Sequence, residues 1–287
     1  MKDYLIEFFD EFSYEKSDAE FLLSVYDKII QNTDANEIFN KALMFYENDI
    51  NCDFDIILNW ADNIADMLCI HKYTLELLVC ICLTKRLKSE YEMQDISLNI
   101  FYDSVLDLRY KLDECKLVKG IIGTFVAYWF DRWFSLKRFA LGRLQFEQTT
   151  LGTVYKDLSA DSFALAVHIP RSGEPLTVAA CDESFKMAIN FFKNSFSKKC
   201  VFTCNSWLLY PENNLILSES SNIYKFMKRF DIIDFGDSET NGDLWRIFDT
   251  DENELKLLPC DTFLRKAYAK HFENGGKMGW GFGVIVT

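Results

Sequence analysis

The densest set of side chains suited to chemistry lies in residues 163–209. The letters FALAVHIP predict a buried strand, RSGEPLT a tight polar loop, VAACDESFKMAINFFKNSF a helix, and CVFTCNSWLL a second strand. A strand that runs through a glycine-containing loop into a helix can bind an anion, because the first helical turn has free backbone N–H groups and the positive end of the helix dipole. The segment therefore predicts a site for a phosphate-bearing cofactor.

Residues in and beside this loop fit that interpretation. Arg171 would supply positive charge, Gly173 would let the backbone approach a phosphate, and Thr177 is a suitable N-cap. His168 ends the first strand, and a histidine titrates near neutral pH, which suits proton transfer. The alternatives are an ordinary strand-to-helix turn and a histidine that only hydrogen-bonds to backbone.

The bulk composition excludes several classes of partner. The chain has 287 residues and a formal net charge of -13. A protein this acidic is repelled by a phosphate backbone, so we expect no nucleic-acid partner. The apolar run at 117–134 holds three charged residues and is predicted to be a buried helix, so we expect no membrane association. The densest basic stretch could still face an anionic cofactor; it comprises Arg132, Lys137, Arg138 and Arg143.

Cysteine and histidine usage predicts a cytoplasmic protein without a metal. The nine cysteines are an odd number and form no C-x-x-C pair, which is typical of reduced, mostly buried thiols. The acidic start MKDYLIEFFDEF is unlike a signal peptide. His71, His168 and His271 are too dispersed to predict a zinc site. The oligomeric state stays open.

Residues 1–124 read as helices that form a small bundle and a first domain. Asp18, Asp34 and Asp53 are predicted to open three of these helices, and further helical patterns follow at 72–88 and 96–111. Residues 125–287 mix strands and helices and are predicted to form a second domain. The predicted strands are 140–148, 162–169, 200–209, 230–235, 244–248 and 281–286. The predicted helices are 177–196, 222–229 and 261–272, and 236–242 is a predicted hairpin turn.

Five strings in the second half carry a family resemblance. They are LGRLQFE at 141–147, HIPRSGEPLT at 168–177, CNSWLLYPE at 204–212, SNIYKFMKRF at 221–230 and GGKMGWGFGV at 275–284. In this order and spacing the chain resembles a bacterial family that pairs a helical N-acyltransferase N-terminal domain with a GNAT-like C-terminal domain. The resemblance implies an α+β protein: a helical bundle followed by a mixed domain around a central, mostly antiparallel sheet.

The resemblance also implies a cofactor site. In GNAT-like domains two neighbouring parallel strands part, and coenzyme A lies in the wedge with its pyrophosphate on the following helix N-terminus. Carried onto this chain, the wedge would open between 162–169 and 200–209. The cofactor would be acetyl-CoA or another acyl-CoA that is not tightly bound, and the implied contact residues are Val167, His168, Ile169, Arg171, Ser172, Gly173, Thr177 and Asn205.

Acyl transfer to an amine needs a base, oxyanion donors and an acid for the leaving thiolate. Glu147 and His168 are the candidate bases, Ser206 could line the wedge, and Tyr210 could act as the acid. The alternatives are that Glu147 is a solvated strand residue and that Tyr210 is an ordinary tyrosine at the end of a strand. Cys204 is better interpreted as a buried thiol than as a nucleophile.

The expected function is therefore acyl-CoA-dependent N-acylation of a small-molecule or peptide amine. The alternative is a catalytically silent GNAT-like module that binds a metabolite or a protein partner. A hydrolase is disfavoured because the chain has no G-x-S-x-G elbow.

Overall fold

The computed structural model describes residues 1–196, 199–238 and 243–287. The chain forms two compact units, Met1–Phe139 and Ala140–Thr287. The predicted division into 1–124 and 125–287 stays a prediction. Part of the predicted turn at 236–242 lies outside the described residues.

The first unit is helical, as predicted, and its longest helices enclose a hydrophobic core. The helices are α1 (Lys2–Glu11), α2 (Lys16–Gln31), α3 (Thr33–Asn48), α4 (Phe54–Leu68), α5 (Lys72–Met93), α6 (Leu98–Lys119) and α7 (Asp131–Phe134), with a 3-10 turn at Ala127–Phe130. Residues 74–84 of α5 are all buried. A helix buried on every side lies at the centre of its bundle, so α5 is the central helix.

Only one of the three predicted aspartate caps is correct. Asp53 caps α4, and its side chain accepts a hydrogen bond from the Asp55 backbone at 3.1 Å. The third helix does not open at Asp34; Asn32 caps it by accepting from the Ala35 backbone at 3.0 Å. Either residue type can cap a helix, so local sequence alone could not choose between the two.

Asp18 is not a cap either. It lies inside the first turn of α2, which begins after Glu15, and it is 2% exposed. Its carboxylate accepts from Lys116 of α6 at 2.7 Å, and the same ammonium group reaches Glu15 at 2.7 Å. A partner 98 residues away in sequence therefore decides what this aspartate does.

The run 117–134 is not one buried helix, which corrects that prediction. The helix α6 stops at Lys119 because Gly120 takes a left-handed backbone conformation at φ 68. The chain then packs on the start of α5, where the Thr124 backbone N–H donates to the Tyr73 carbonyl at 3.0 Å. A Cβ at Gly123 would lie 2.5 Å from the Tyr73 carbonyl carbon, so this approach needs a glycine.

The second unit is built on a six-stranded sheet. Its strands are β1 (Arg138–Leu141), β2 (Leu144–Thr150), β3 (Phe163–His168), β4 (Val201–Ser206), β5 (Asp231–Asp237) and β6 (Gly279–Val286), in the order β1-β2-β3-β4-β6-β5. Its helices are α8 (Val178–Phe191), α9 (Asn213–Ile216), α10 (Asn222–Met227), α11 (Trp245–Phe248) and α12 (Phe263–Glu273), with 3-10 turns at Trp207–Leu209 and Leu255–Leu257. The pairs β2–β3, β4–β6 and β5–β6 are antiparallel, and β3–β4 is parallel. This confirms the predicted α+β class with a mostly antiparallel sheet.

Two strand predictions are wrong. Residues 140–148 form two strands, because Gly142 turns the chain at φ 71 between β1 and β2. Residues 244–248 contain the helix α11 and no strand. The apolar residues of this short stretch, Leu244, Ile247 and Phe248, are buried together in a local core, and a single helical turn places them there as well as a strand would.

The two faces of the sheet have different neighbours. Phe146 and Phe202 contact Phe185 of α8, with ring centroids 5.6 and 4.9 Å apart, so we call their side the α8 face. Side chains alternate along a strand, so His168 lies on the other side, which we call the His168 face. Leu151 and Tyr155 of the loop after β2 cover one end of that face by packing against Ala164 of β3 and Val201 of β4. The candidate catalytic residues lie at the other end of this face.

Candidate active site

The parallel strands β3 and β4 pair only over a short length and then part. Within these fully described strands the ladder consists of Leu165 opposite Phe202 and Ala166 opposite Thr203. On its other edge β4 stays paired with β6 through Ser206 opposite Gly281. The ladder with β4 therefore ends before the last residues of β3, Val167 and His168. Their backbone groups line a wedge that opens at the carboxyl ends of both strands, where ligands of open α/β sheets bind.

His168 and Glu147 meet at the edge of this wedge. The register of β2 and β3 places His168 opposite Gln145 and Glu147 opposite Ala166, so the two side chains are diagonal neighbours on one face. His168 Nε2 lies 3.0 Å from Glu147 Oε2, and the side chains are 21% and 14% exposed. An ionised carboxylate only accepts hydrogen bonds, so Nε2 is the donor and Nδ1 is the nitrogen that can take up a proton. This is the geometry of an oriented general base.

The loop after β3 is held by an arginine from the β1–β2 turn. Arg143 donates from Nε to the Glu174 carbonyl and from Nη1 to the Pro170 carbonyl, both at 3.0 Å. Ser172 Oγ accepts from the Glu174 backbone at 3.3 Å, and Gly173 turns the loop at φ 78. The loop therefore has a defined conformation, and Ser172 contributes to it through its hydroxyl.

Arg171 forms an ion pair with Asp249, the residue that ends α11. Its Nη1 lies 2.7 Å from Asp249 Oδ1, and Arg265 of α12 holds the other carboxylate oxygen at 2.6 Å. The Arg171 guanidinium is thus directed at a carboxylate of the 243–278 segment. A phosphate at the loop would compete with Asp249 for this side chain.

The first turn of α8 combines a helix N-terminus with two arginines. Thr177 caps the helix, as predicted, by accepting from the Ala180 backbone at 3.2 Å. Arg229 donates to the Val178 carbonyl at 2.9 Å. Burial raises the pKa of the Cys181 thiol, and the charges of Arg229 and Arg143 act in the opposite direction, so both guanidinium groups lie near this turn. The helix N-terminus and the two arginines thus lie where the cofactor phosphates are expected, with Arg229 ion-paired to Asp182 of α8.

Sequence analysis missed Arg229 and named Arg143 only as a member of the basic stretch that could face an anionic cofactor. Arg229 follows α10 and lies 47 residues from Asp182, its ion-pair partner on α8 at 2.6 Å. Both arginines occur in strings that carry the family resemblance, LGRLQFE and SNIYKFMKRF. Their occurrence in those two strings is the sequence signal that could have identified them as site residues.

The residues at the end of β4 separate onto two faces. Asn205 has the same parity as Thr203, which pairs with Ala166, so it lies on the His168 face and is exposed. Ser206 has the opposite parity, and its Oγ accepts from the Leu208 backbone at 3.2 Å, where it caps the following 3-10 turn. The structure therefore groups Asn205, and not Ser206, with His168 and Glu147.

Tyr210 is buried beside β6 and its hydroxyl is occupied. It donates to Asp237 Oδ1 at 2.7 Å, and Lys277 holds the other carboxylate oxygen at 2.9 Å. Burial, and then the hydrogen bond to Asp237, raise the pKa of Tyr210 well above its ordinary value. Such a phenol gives up its proton less readily than a free tyrosine does.

The remaining nucleophile candidate is shielded. Cys204 is 1% exposed, and burial raises the pKa of its thiol to about 12. A thiol in that environment stays protonated, which supports its interpretation as a core residue.

Within the described residues no three His, Cys, Asp or Glu side chains are grouped so as to hold a metal ion. None of the described helices combines the length and apolar character needed to cross a membrane.

Comparison with known proteins follows the division of the chain. Residues 3–136 match the family described as N-acyltransferase N-terminal domain, and residues 138–285 match the family described as GNAT-like C-terminal domain. These matches confirm the resemblance drawn from the five strings. No curated protein gives a significant match to the chain.

Solved structures of acyltransferases share the fold. An acyltransferase in complex with decanoyl-CoA and teicoplanin aligns with a TM-score of 0.78 at 19% identity, over 98% of this chain and 86% of that one. A mutant acyltransferase in complex with octanoyl-CoA gives a TM-score of 0.77 at 18% identity, over 99% and 87%. A complex with CoA and 10C-teicoplanin gives 0.76 at 19% identity, over 98% and 86%. At these identities the likeness concerns the fold.

Proposed function

Because the chain belongs to the family with a GNAT-like C-terminal domain, preceded by an N-acyltransferase N-terminal domain, we propose that it is an acyl-CoA-dependent N-acyltransferase. The observation that carries the proposal is the wedge between β3 and β4 with the His168–Glu147 pair at its edge. A wedge alone would suit a binding module. A histidine oriented by a carboxylate adds the base that amine acylation needs.

The cofactor would lie with its phosphates at α8 and its pantetheine in the wedge. The positive charge for the phosphates would come from the α8 N-terminus, Arg143 and Arg229. The backbone of β3 beyond its ladder with β4 can hydrogen-bond to the pantetheine amides. The proposed contact residues are Val167, His168, Ile169, Arg171, Ser172, Gly173, Thr177 and Asn205. We keep Arg171 because a pyrophosphate carries more charge than the Asp249 carboxylate it would displace.

In the proposed reaction the acceptor amine attacks the thioester carbonyl carbon. The new C–N bond forms, the C–S bond breaks, and the thiolate of coenzyme A leaves. His168 Nδ1 takes the proton that the amine loses, and Glu147 stabilises the resulting imidazolium through the 3.0 Å hydrogen bond. The same proton can then pass to the thiolate. Ser206 and Tyr210 support the end of β4, the first by capping the 3-10 turn and the second by its bond to Asp237.

For the acyl donor and acceptor we draw on the solved relatives. Two of them hold decanoyl-CoA and octanoyl-CoA, and one of these also holds teicoplanin. We propose an acyl-CoA donor and a small-molecule amine acceptor for this chain, with a peptide amine as the second possibility. We also propose a cytoplasmic location, because all nine cysteines lie in the described residues and each is a free thiol.

The catalytically silent module is the second candidate. The Arg171–Asp249 ion pair favours it, because the one cationic side chain of the loop is already neutralised at 2.7 Å. Only the acyltransferase needs a base, so variants of Glu147 and His168 separate the two candidates.

The test measures acyl transfer from octanoyl-CoA to a set of primary amines by release of free thiol. We expect Glu147→Gln to lower kcat about 10- to 100-fold, and His168→Ala to lower it about 100-fold or more. The dissociation constant of coenzyme A should change little, because the proposed contact of His168 with the cofactor is through its backbone. Asp161→Asn, at an exposed position in the loop before β3, is the control and should leave kcat unchanged. Binding of octanoyl-CoA without turnover by any amine would favour the silent module, and no binding would exclude the acyltransferase and leave only a silent module with a different ligand.

A further inference from the structure

The oxyanion of the proposed reaction needs a hydrogen-bond donor that the His168–Glu147 pair does not supply. That pair takes up the proton of the amine, whereas the negative charge develops on the carbonyl oxygen of the thioester. Gln145 lies directly opposite His168, but it is 2% exposed and belongs to β2, on the edge of β3 away from the wedge. The donor must therefore come from the β4 side.

Asn205 lies across the wedge from His168. The last pair of the β3–β4 ladder joins Ala166 to Thr203. His168 follows this pair by two residues on β3, and Asn205 follows it by two residues on β4. Since side chains alternate along a strand, the two are level with each other on the His168 face. Paired strands lie about 4.8 Å apart and these two part beyond the ladder, so a ligand chain between them has His168 on one side and Asn205 on the other.

The backbone of Asn205 is fixed, while its carboxamide is not bound. On its other edge β4 pairs with β6, where Asn205 lies opposite Phe282. The Phe282 side chain carries no hydrogen-bonding atom and packs with the apolar cluster at the other end of this face. Asn205 is exposed, and no described residue forms a side-chain hydrogen bond with it. Both N–H groups of the carboxamide are therefore available to a ligand in the wedge.

The neighbouring hydroxyl groups of β4 and its following turn do not reach the wedge in the same way. Thr203 belongs to the last ladder pair, where the strands are still closed, and it is 3% exposed. Ser206 lies on the other face, and its Oγ accepts from a backbone N–H of the following 3-10 turn. The Tyr210 hydroxyl donates to Asp237 at 2.7 Å. Asn205 is thus the exposed donor at this end of β4.

We propose that the Asn205 carboxamide binds the oxyanion of the acyl transfer. The inference rests on the proposed function. As the amine nitrogen bonds to the carbonyl carbon, an electron pair of the C=O bond moves onto oxygen, and Asn205 Nδ2 donates a hydrogen bond to it. The pair returns when the C–S bond breaks and the thiolate leaves. The contact is with the acyl carbonyl, which free coenzyme A lacks, so Asn205 acts on turnover and not on binding of coenzyme A.

The test measures kcat with octanoyl-CoA and the best amine, and the dissociation constant of coenzyme A by calorimetry. Asn205→Ala should lower kcat about 100- to 1000-fold, the usual loss when one oxyanion donor is removed. Asn205→Asp keeps the shape but has no N–H and repels the oxyanion, so kcat should fall at least as far. The dissociation constant should change less than about threefold in both variants. Asn190→Ala and Asn190→Asp, at an exposed position near the end of α8, are the matched controls and should change neither value.

The outcomes separate this inference from the function on which it rests. If the wild type acylates no amine, the proposed function fails and the inference fails with it. If the wild type turns over and Asn205→Ala keeps kcat within about threefold, the function stands and the inference is wrong. It is also wrong if both Asn205 variants weaken coenzyme A binding as much as they lower kcat, because Asn205 would then hold the pantetheine. Retained binding of coenzyme A shows that a variant with low kcat is folded.

Discussion

Arg171 and Arg229 have different partners in the structure, and of the two the sequence predicts only Arg171 as a phosphate ligand. Arg171 is bound to a carboxylate that Arg265 also holds, whereas Arg229 lies on the first turn of α8, bound to the Val178 carbonyl and to Asp182. We expect Arg229→Gln to weaken coenzyme A binding about tenfold, the loss of one charge-assisted contact, and Arg171→Gln to weaken it less. Calorimetry with coenzyme A measures both.

Two controls separate a lost contact from a disturbed helix. Asp182→Asn removes the partner of Arg229 and leaves the guanidinium in place, so coenzyme A affinity should stay equal or rise. Lys186→Gln removes an exposed positive charge further along α8 and should change little. Equal weakening by Arg229→Gln and Asp182→Asn would mean that the ion pair only supports the helix.

A second residue-scale prediction concerns Glu76 of the first unit. Its carboxyl is buried near Asp62. The Nζ atom of Lys72 lies 4.0 Å from Glu76 Oε1 and 3.9 Å from Asp62 Oδ2. Burial, and then repulsion from Asp62, raise the pKa of Glu76 to about 7. The folded state therefore keeps a proton that the unfolded state loses above its ordinary pKa of 4.5, so stability should fall as the pH rises from 4.5 to 7 and then level off.

The variant Glu76→Gln should remove that part of the pH dependence. We expect it to raise the free energy of unfolding by about 1 to 2 kcal/mol at pH 8 and to have a much smaller effect at pH 4.5. Urea denaturation at the two pH values measures it, with the exposed Glu92→Gln of the same helix as control. Equal effects of Glu76→Gln at both pH values would contradict the assignment.

At the scale of elements, glycines in β6 explain how the end of β4 is supported. A Cβ at Gly281 would lie 2.3 Å from the Leu209 carbonyl oxygen, and one at Gly279 would lie 2.3 Å from the Tyr210 ring. The 3-10 turn after β4 thus rests directly on β6. The C-terminal glycines thus serve two elements: Gly275, at φ 82, follows the end of α12, and the later ones lie in β6.

The variant Gly281→Ala should cost about 2 to 3 kcal/mol of stability, because a methyl group there must displace backbone. Gly152→Ala is the control: its φ of 78 brings strain of about 1 kcal/mol, but no atom lies within 4 Å of the added Cβ. Thermal denaturation of both variants measures the difference. A smaller loss at Gly281 than at Gly152 would show that the turn can shift away from β6.

The elements that sequence predicts well are those whose signals are local. The strand β3 and the start of α8 after Thr177 follow from an apolar run, a loop and a capping residue. The prediction for 244–248 is wrong because five residues give no period long enough to separate a strand from one helical turn. The contact between His168 and Glu147 depends on the register of β2 and β3, which the residues could not fix.

Arg229 shows the same limit for the site. Nothing near it in sequence indicates that it reaches α8, because the fold brings it there from 47 residues beyond Asp182. The family resemblance compensates in part: it predicts that the strands later found as β3 and β4 are parallel neighbours, but it could not show that Arg171 is bound to Asp249.

At the scale of the whole molecule, charge is unevenly divided along the chain. Residues 1–139 carry 25 acidic and 15 basic side chains, a net charge of −10, and residues 140–287 carry 19 and 16, a net charge of −3. The proposed cofactor is itself an anion. It must therefore reach a local positive site on a protein that repels it at long range.

Ionic strength should act differently on the long-range repulsion of the cofactor and on its local attraction to α8. The Debye length is about 30 Å at 0.01 M salt and about 10 Å at 0.1 M, so salt screens the whole-molecule repulsion before it screens contacts at α8. We expect the association rate constant of coenzyme A to rise about two- to fivefold over this range. The dissociation rate constant should rise as well, because salt also weakens the contacts to Arg143 and Arg229. Stopped-flow binding measures both rates. An association rate that falls with salt would mean that the positive field at α8 dominates the approach of the cofactor, and the net charge of -13 would then have little part in it.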